Sequence, residues 1–120
     1  MEKELFDYVA ERADILAVAG SAKQVTKDAA LAWKEAVAAE GADIDAATKQ
    51  FVDFLEGRPN SIDGVIAFAQ GPAIEMLGKE VADQILANNL ARKEQGAKFC
   101  GCEACTAASE ILAKFGRVEL

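Results

Sequence analysis

The chain has 120 residues, of which 52% are hydrophobic and 28% charged, a balance typical of one folded domain and not of a disordered chain. Its formal net charge is −7, and the charges alternate in sign without a basic patch, so we expect no binding to nucleic acid or to anionic membrane surfaces. The amino-terminal segment is charged, unlike a signal peptide, and the most apolar run, residues 64–69, is too short to span a membrane. These features predict a cytoplasmic protein.

The first half of the chain carries apolar residues at helical spacing. A first helix is predicted to end at Gly20. Ser21 and Gln24 then have the spacing of a capping box, which predicts the start of a second helix that carries Trp33. Asp43 is expected to cap a third helix. The aromatic side chains at these spacings are interpreted as core and not as a ligand pocket.

The second half of the chain continues the helical pattern. Ser61 follows a proline turn and is expected to cap a short fourth helix, and Pro72 suits the first turn of a further segment in which Gly78 is a break or a kink. The apolar stripe of that segment comprises Met76, Leu77, Val81, Ile85 and Leu90. A Cys-rich loop at residues 98–105 then leads into a C-terminal helix that starts at Glu103 or Ala104. The prediction is therefore all-α: a single domain, residues 1–120, built as an orthogonal bundle of five to seven short helices.

The segment K-F-C-G-C-E-A-C, residues 98–105, is the part of the sequence that indicates chemistry. Gly101 is expected to bend the chain by adopting a positive φ, and Cys105 should lie on the first turn of the last helix. All three sulfurs would then converge at a helix N-terminus, where unpaired N–H groups favour anions and thiolate pKa values should fall. Lys98 adds a positive charge that Glu103 partly offsets.

Three functions are compatible with this cluster. The leading prediction is a soft-metal or metalloid binding protein, for storage, transport or sensing, with Cys100, Cys102 and Cys105 as the ligands. The first alternative is a small thiol redox protein that uses the C-x-x-C pair Cys102 and Cys105. The second is a helical protein-interaction module in which the cysteines are structural. We expect a binding protein and not an enzyme, because the chain has no histidine and no carboxylate stands out as catalytic.

The identity of the ion stays open at this point. Zinc prefers four ligands, so an Asp or Glu, a water molecule or a cysteine from a second subunit of a homodimer would have to complete its site. Trivalent arsenic or antimony needs only three thiolates. Copper(I), and an iron–sulfur cluster with one open iron, are also compatible with three cysteines.

The ten residues K-F-C-G-C-E-A-C-T-A, residues 98–107, resemble the metalloid-binding motif of arsenic-responsive winged-helix repressors. The resemblance implies that Cys100, Cys102 and Cys105 bind trivalent arsenic, as the matching cysteines do in that family. It covers the motif alone. One helix and no recognition helix or wing follows it here, so the resemblance does not extend to DNA binding.

A second resemblance covers most of the chain. The alanine-rich first half, the I-A-F-A segment at residues 66–69 and the terminal K-F-C-x-C-x-A-C are similar to a group of small bacterial proteins whose function is not established. Some of that group carry the label of ninety-kilodalton heat-shock chaperones, which implies an ATPase domain. This chain lacks the nucleotide-binding signatures of such a domain, so the resemblance implies a bacterial origin and no particular activity.

Overall fold

The protein is all-helical, as the computed structural model of the whole chain, Met1–Leu120, shows. Backbone pairing outside the helices is limited to one isolated antiparallel bridge between Ser61 and Phe99. The prediction of an all-α fold with five to seven helices is confirmed. None of the helices combines the length and the apolar character that a membrane span requires. The seven helices are α1 (Lys3–Val18), α2 (Gln24–Ala38), α3 (Ile44–Leu55), α4 (Ile62–Ala69), α5 (Pro72–Leu77), α6 (Lys79–Glu94) and α7 (Glu103–Lys114).

The helices form two compact units. The first unit contains α1, α2, α3 and α7, from residues 1–59 and 102–119, and the second contains α4, α5 and α6, from residues 60–101. The organisation of the chain as a single domain stays a prediction.

The first unit encloses a core in which aromatic side chains meet. The ring centroids of Phe6 and Phe51 lie 5.6 and 5.9 Å from that of Trp33. The Trp33 indole N–H donates a buried hydrogen bond of 3.0 Å to the Thr48 hydroxyl. Helix α7 packs against α1 and α3 in this unit and buries Ile111 completely. Trp33 and Phe51 are thus core residues, as their helical spacing predicted.

The predicted helix caps are confirmed at two positions and wrong at a third. Asp43 accepts from the Ala46 N–H and Ser61 accepts from the Gly64 N–H, both at 3.0 Å. Helix α2, however, starts at Gln24 with Lys23 as its N-cap and has no side-chain cap. Ser21 and Gln24 therefore do not form a capping box, because the chain is still in a turn at Ser21.

The second unit buries small residues where the sequence predicted a large apolar stripe. Ala73, Ala82 and Asn89 are the buried residues of α5 and α6. The predicted stripe was wrong over most of its length: Ile85 is half-buried, but the four other side chains are exposed. Gly78, whose φ is 88°, ends α5 before α6 begins. Within α6 the buried residues Ala82 and Asn89 each lie one position from a stripe residue, so the face that packs in this unit is offset from the one that Val81 and Leu90 define. The exposed fractions are 71% for Met76, 48% for Leu77, 42% for Val81 and 47% for Leu90.

Surface charges tie the carboxyl-terminal tail to α3. Asp53 accepts hydrogen bonds from Lys49 at 2.9 Å and from Arg117 at 2.8 Å. These bonds, that from Lys49 first, hold the pKa of the Asp53 carboxyl below its ordinary value of 3.8. The hydrogen bond to Asp53 in turn raises the pKa of Arg117.

Candidate metal centre

The backbone ahead of Cys100 is fixed by pairing with the start of α4. Helix α6 ends before Gly96, whose φ is 94°. The Lys98 carbonyl then accepts from the Ile62 N–H at 2.9 Å, and the Cys100 N–H donates to the Asn60 carbonyl at 2.8 Å. Two hydrogen bonds therefore hold the first cysteine of the motif on an extended segment.

Cys102 is the N-cap residue of α7. Its φ of −66° and ψ of 159° are extended, and its Sγ accepts a hydrogen bond of 3.3 Å from the Cys105 N–H. Cys105 lies in the first turn of α7, as predicted, and is buried. This cap directs the Cys102 sulfur at the unpaired N–H groups of the helix, a position that favours a negatively charged sulfur.

A second cap for α7 comes from a distant part of the chain. The Ser21 hydroxyl oxygen accepts from the Ala104 N–H at 3.1 Å. Ser21 therefore caps α7 and not α2, the helix that follows it in the sequence. Serine is a residue type that caps helices, and this part of the prediction was correct. Sequence spacing could not show, however, that the helix capped by Ser21 starts about 83 positions further along the chain.

The three sulfurs form one cluster. The Sγ atoms of Cys100, Cys102 and Cys105 all lie within 4.8 Å of one another, and no carboxylate belongs to the group. Cys100 and Cys102 are half-buried and Cys105 is buried, and all three carry thiols. Sulfurs that share one zinc ion, at about 2.3 Å each, are roughly 3.8 Å apart. The cluster therefore needs to contract by about 1 Å at most to hold an ion.

Gly101 has a different role from the predicted one. It is not among the glycines with a positive φ, which are Gly41, Gly57, Gly78, Gly96 and Gly116. Instead, a Cβ at Gly101 would lie 2.7 Å from both Cζ and Nε of Arg92. The absence of a side chain thus makes room for the Arg92 guanidinium group. The expectation of a left-handed bend was wrong because the chain turns between Cys100 and Cys102 within ordinary backbone geometry.

Arg92 is a residue beside the motif that sequence reasoning missed. Its Nη2 donates to the Phe99 carbonyl at 3.1 Å, and its side chain is half-buried on the last turn of α6. The expected positive charge, Lys98, has an exposed side chain. No spacing rule relates an arginine near the end of one helix to a cysteine motif before the next. Only the approach of the guanidinium group to Gly101 identifies it.

Comparisons with family models, with curated proteins and with solved structures gave no match.

Proposed function

We propose that the protein binds a thiophilic metal or metalloid ion, such as zinc or trivalent arsenic, through the three sulfurs of Cys100, Cys102 and Cys105. The observation that carries the proposal is the convergence of the three Sγ atoms within 4.8 Å. Soft ions select thiolate ligands over the carboxylates that cover the rest of this acidic surface.

The ligand set favours ions that are satisfied by three sulfurs. No carboxylate lies in the cluster, so a four-coordinate ion would take its fourth ligand from solvent or from a second copy of the chain. Trivalent arsenic forms three As–S bonds as three As–O bonds of arsenous acid break, and the thiol protons leave with the released water. Zinc would instead release the thiol protons to solvent, so its binding weakens as the pH falls.

Accessibility also supports reversible binding. Two of the three cysteines are half-buried and lie on the loop, where an ion can reach them. The third is buried and fixed in the first turn of α7. This combination suits storage, transport or sensing, all of which require the ion to be released again.

The test is a titration of the reduced protein with zinc and with trivalent arsenic, in the parent and in the three single variants Cys100→Ser, Cys102→Ser and Cys105→Ser. We expect one ion per chain in the parent and weaker binding in every variant, because each removes one of three ligands. A triple-serine variant is the matched control. The proposal fails if the parent binds neither ion better than that control.

A second candidate is dithiol–disulfide exchange by Cys102 and Cys105. The hydrogen bond from the Cys105 N–H to the Cys102 sulfur at the start of α7 favours it, since a helix N-terminus activates thiolates. In this reaction two thiols are oxidised to a disulfide while a disulfide of the substrate is reduced to two thiols. Reduction of a small-molecule disulfide separates the candidates. Redox function predicts that Cys100→Ser retains activity, whereas metal binding predicts that this variant loses affinity for the ion.

A further inference from the structure

The guanidinium group of Arg92 lies against the residue that joins two of the proposed ligands. Gly101 separates Cys100 from Cys102, and the Cβ position of Gly101 is 2.7 Å from Arg92 Cζ and 3.0 Å from Arg92 Nη1. Arg92 Nε is buried and has no hydrogen-bond partner. No ion pair joins Arg92 to a carboxylate, although 20 Asp and Glu residues are present in the chain. A half-buried positive charge without a carboxylate partner thus lies against the residue between Cys100 and Cys102.

The net charge of the ion–thiolate complex decides whether the guanidinium group of Arg92 stabilises that complex. Three thiolates around zinc carry a net negative charge, and three thiolates around copper(I) carry a larger one. Three thiolates around trivalent arsenic form a neutral complex. A fixed cation nearby stabilises the first two complexes and has almost no net interaction with the third.

We propose that Arg92 is a specificity-determining residue that favours ions whose three-thiolate complex is anionic, zinc and copper(I), relative to trivalent arsenic. This inference rests on the proposed function. Arg92 acts by its charge, without being a ligand, and Gly101 is the residue that lets the charge approach the site.

Gly101 provides an independent way to move the charge. Because its φ is not positive, alanine is compatible with the backbone, but the new methyl group would occupy the space of the guanidinium group. The far end of an arginine side chain is flexible, so we expect the guanidinium group to swing away. This movement displaces the charge and breaks the hydrogen bond to the Phe99 carbonyl, as Arg92→Gln does. Gly101→Ala should therefore reproduce the effect of removing the charge at residue 92.

A purely structural role for Arg92 makes a different prediction. Its hydrogen bond to the Phe99 carbonyl holds the loop ahead of Cys100. If that bond were the whole contribution of Arg92, its loss would misplace a ligand and weaken the binding of zinc and of arsenic to the same extent. The ratio of the two affinities therefore distinguishes charge from position.

The experiment measures dissociation constants for zinc and for trivalent arsenic by competition, at one pH and one ionic strength. The variants are Arg92→Gln, Arg92→Lys and Gly101→Ala, with Lys93→Gln as the control for charge, since Lys93 is exposed and pairs with Asp63. We expect Arg92→Gln and Gly101→Ala to weaken the affinity for zinc about tenfold and to change the affinity for trivalent arsenic less than about twofold. Arg92→Lys should retain most of the affinity for zinc, and Lys93→Gln should leave the affinities for both ions unchanged.

If Arg92→Gln loses affinity for both ions equally, or loses affinity for neither, the inference is overturned while the proposed function stands. A parent that binds neither ion overturns the proposed function, and this inference with it. If circular dichroism shows that Arg92→Gln does not fold, Gly101→Ala decides alone: loss of zinc selectivity supports the inference and unchanged selectivity overturns it.

Discussion

Replacement of Ser21 by alanine tests whether a distant residue holds the first turn of α7. The variant removes the hydroxyl that accepts from the Ala104 N–H at 3.1 Å and leaves the Cys102 cap in place. Loss of a serine cap costs about 1 kcal/mol of stability. That energy corresponds to about a fivefold change in an equilibrium constant. We therefore expect Ser21→Ala to unfold at lower urea concentration and to bind zinc up to about fivefold more weakly, because fraying of the first turn displaces Cys105.

Two measurements follow this variant. Urea unfolding by circular dichroism gives the loss of stability, and hydrogen exchange gives the opening of the Ala104 amide. Asp43→Ala is the matched control, since it removes a cap of the same kind from α3. Faster exchange at Ala104 is expected in Ser21→Ala and not in Asp43→Ala. Equal exchange rates in the parent and in Ser21→Ala would refute the assignment of Ser21 as a cap of α7.

Two further predictions concern the first unit. Thr48→Val leaves the buried Trp33 indole N–H without its acceptor and should cost about 1–3 kcal/mol, measured by urea unfolding with circular dichroism. The cost should largely disappear in a Trp33→Phe background, followed by the same signal, and a full cost there would contradict the role of the hydrogen bond. Asp53 has a lowered pKa, so its contribution to stability is present above 3.8 and is lost as the pH falls through its folded-state pKa. Asp53→Asn should therefore lower the urea midpoint at neutral pH, and its difference from the parent should shrink as the pH falls below 3.8, whereas a difference that does not change in acid would contradict the assignment.

Local signals in the sequence were sufficient for most of the fold. Helical spacing, the caps at Asp43 and Ser61 and the break at Gly78 each depend on residues within one or two turns of one another, and each is confirmed. The predicted stripe failed on both sides of that break, since α6 buries Ala82 and Asn89 and leaves the larger Val81 and Leu90 beside them exposed.

In the candidate site, too, the features that depend on sequence neighbours were predictable and those that depend on tertiary packing were not. The convergence of the three sulfurs depends on neighbours in the sequence, so the C-x-C-x-x-C spacing predicted it. Ser21 approaches the motif from the turn between α1 and α2, and Arg92 from α6, and their contributions depend on tertiary packing that no local pattern encodes. The role predicted for Gly101 was wrong for the same reason, because the space that this glycine leaves is filled by Arg92 of α6.

The most direct test of the proposed function is X-ray absorption spectroscopy of the reduced protein loaded with one equivalent of trivalent arsenic. We expect three sulfur neighbours for each arsenic and no remaining oxygen if Cys100, Cys102 and Cys105, whose sulfurs lie within 4.8 Å of one another, act as one ligand set. An arsenic atom that keeps oxygen neighbours, or that is bound by fewer than three sulfurs, would contradict it.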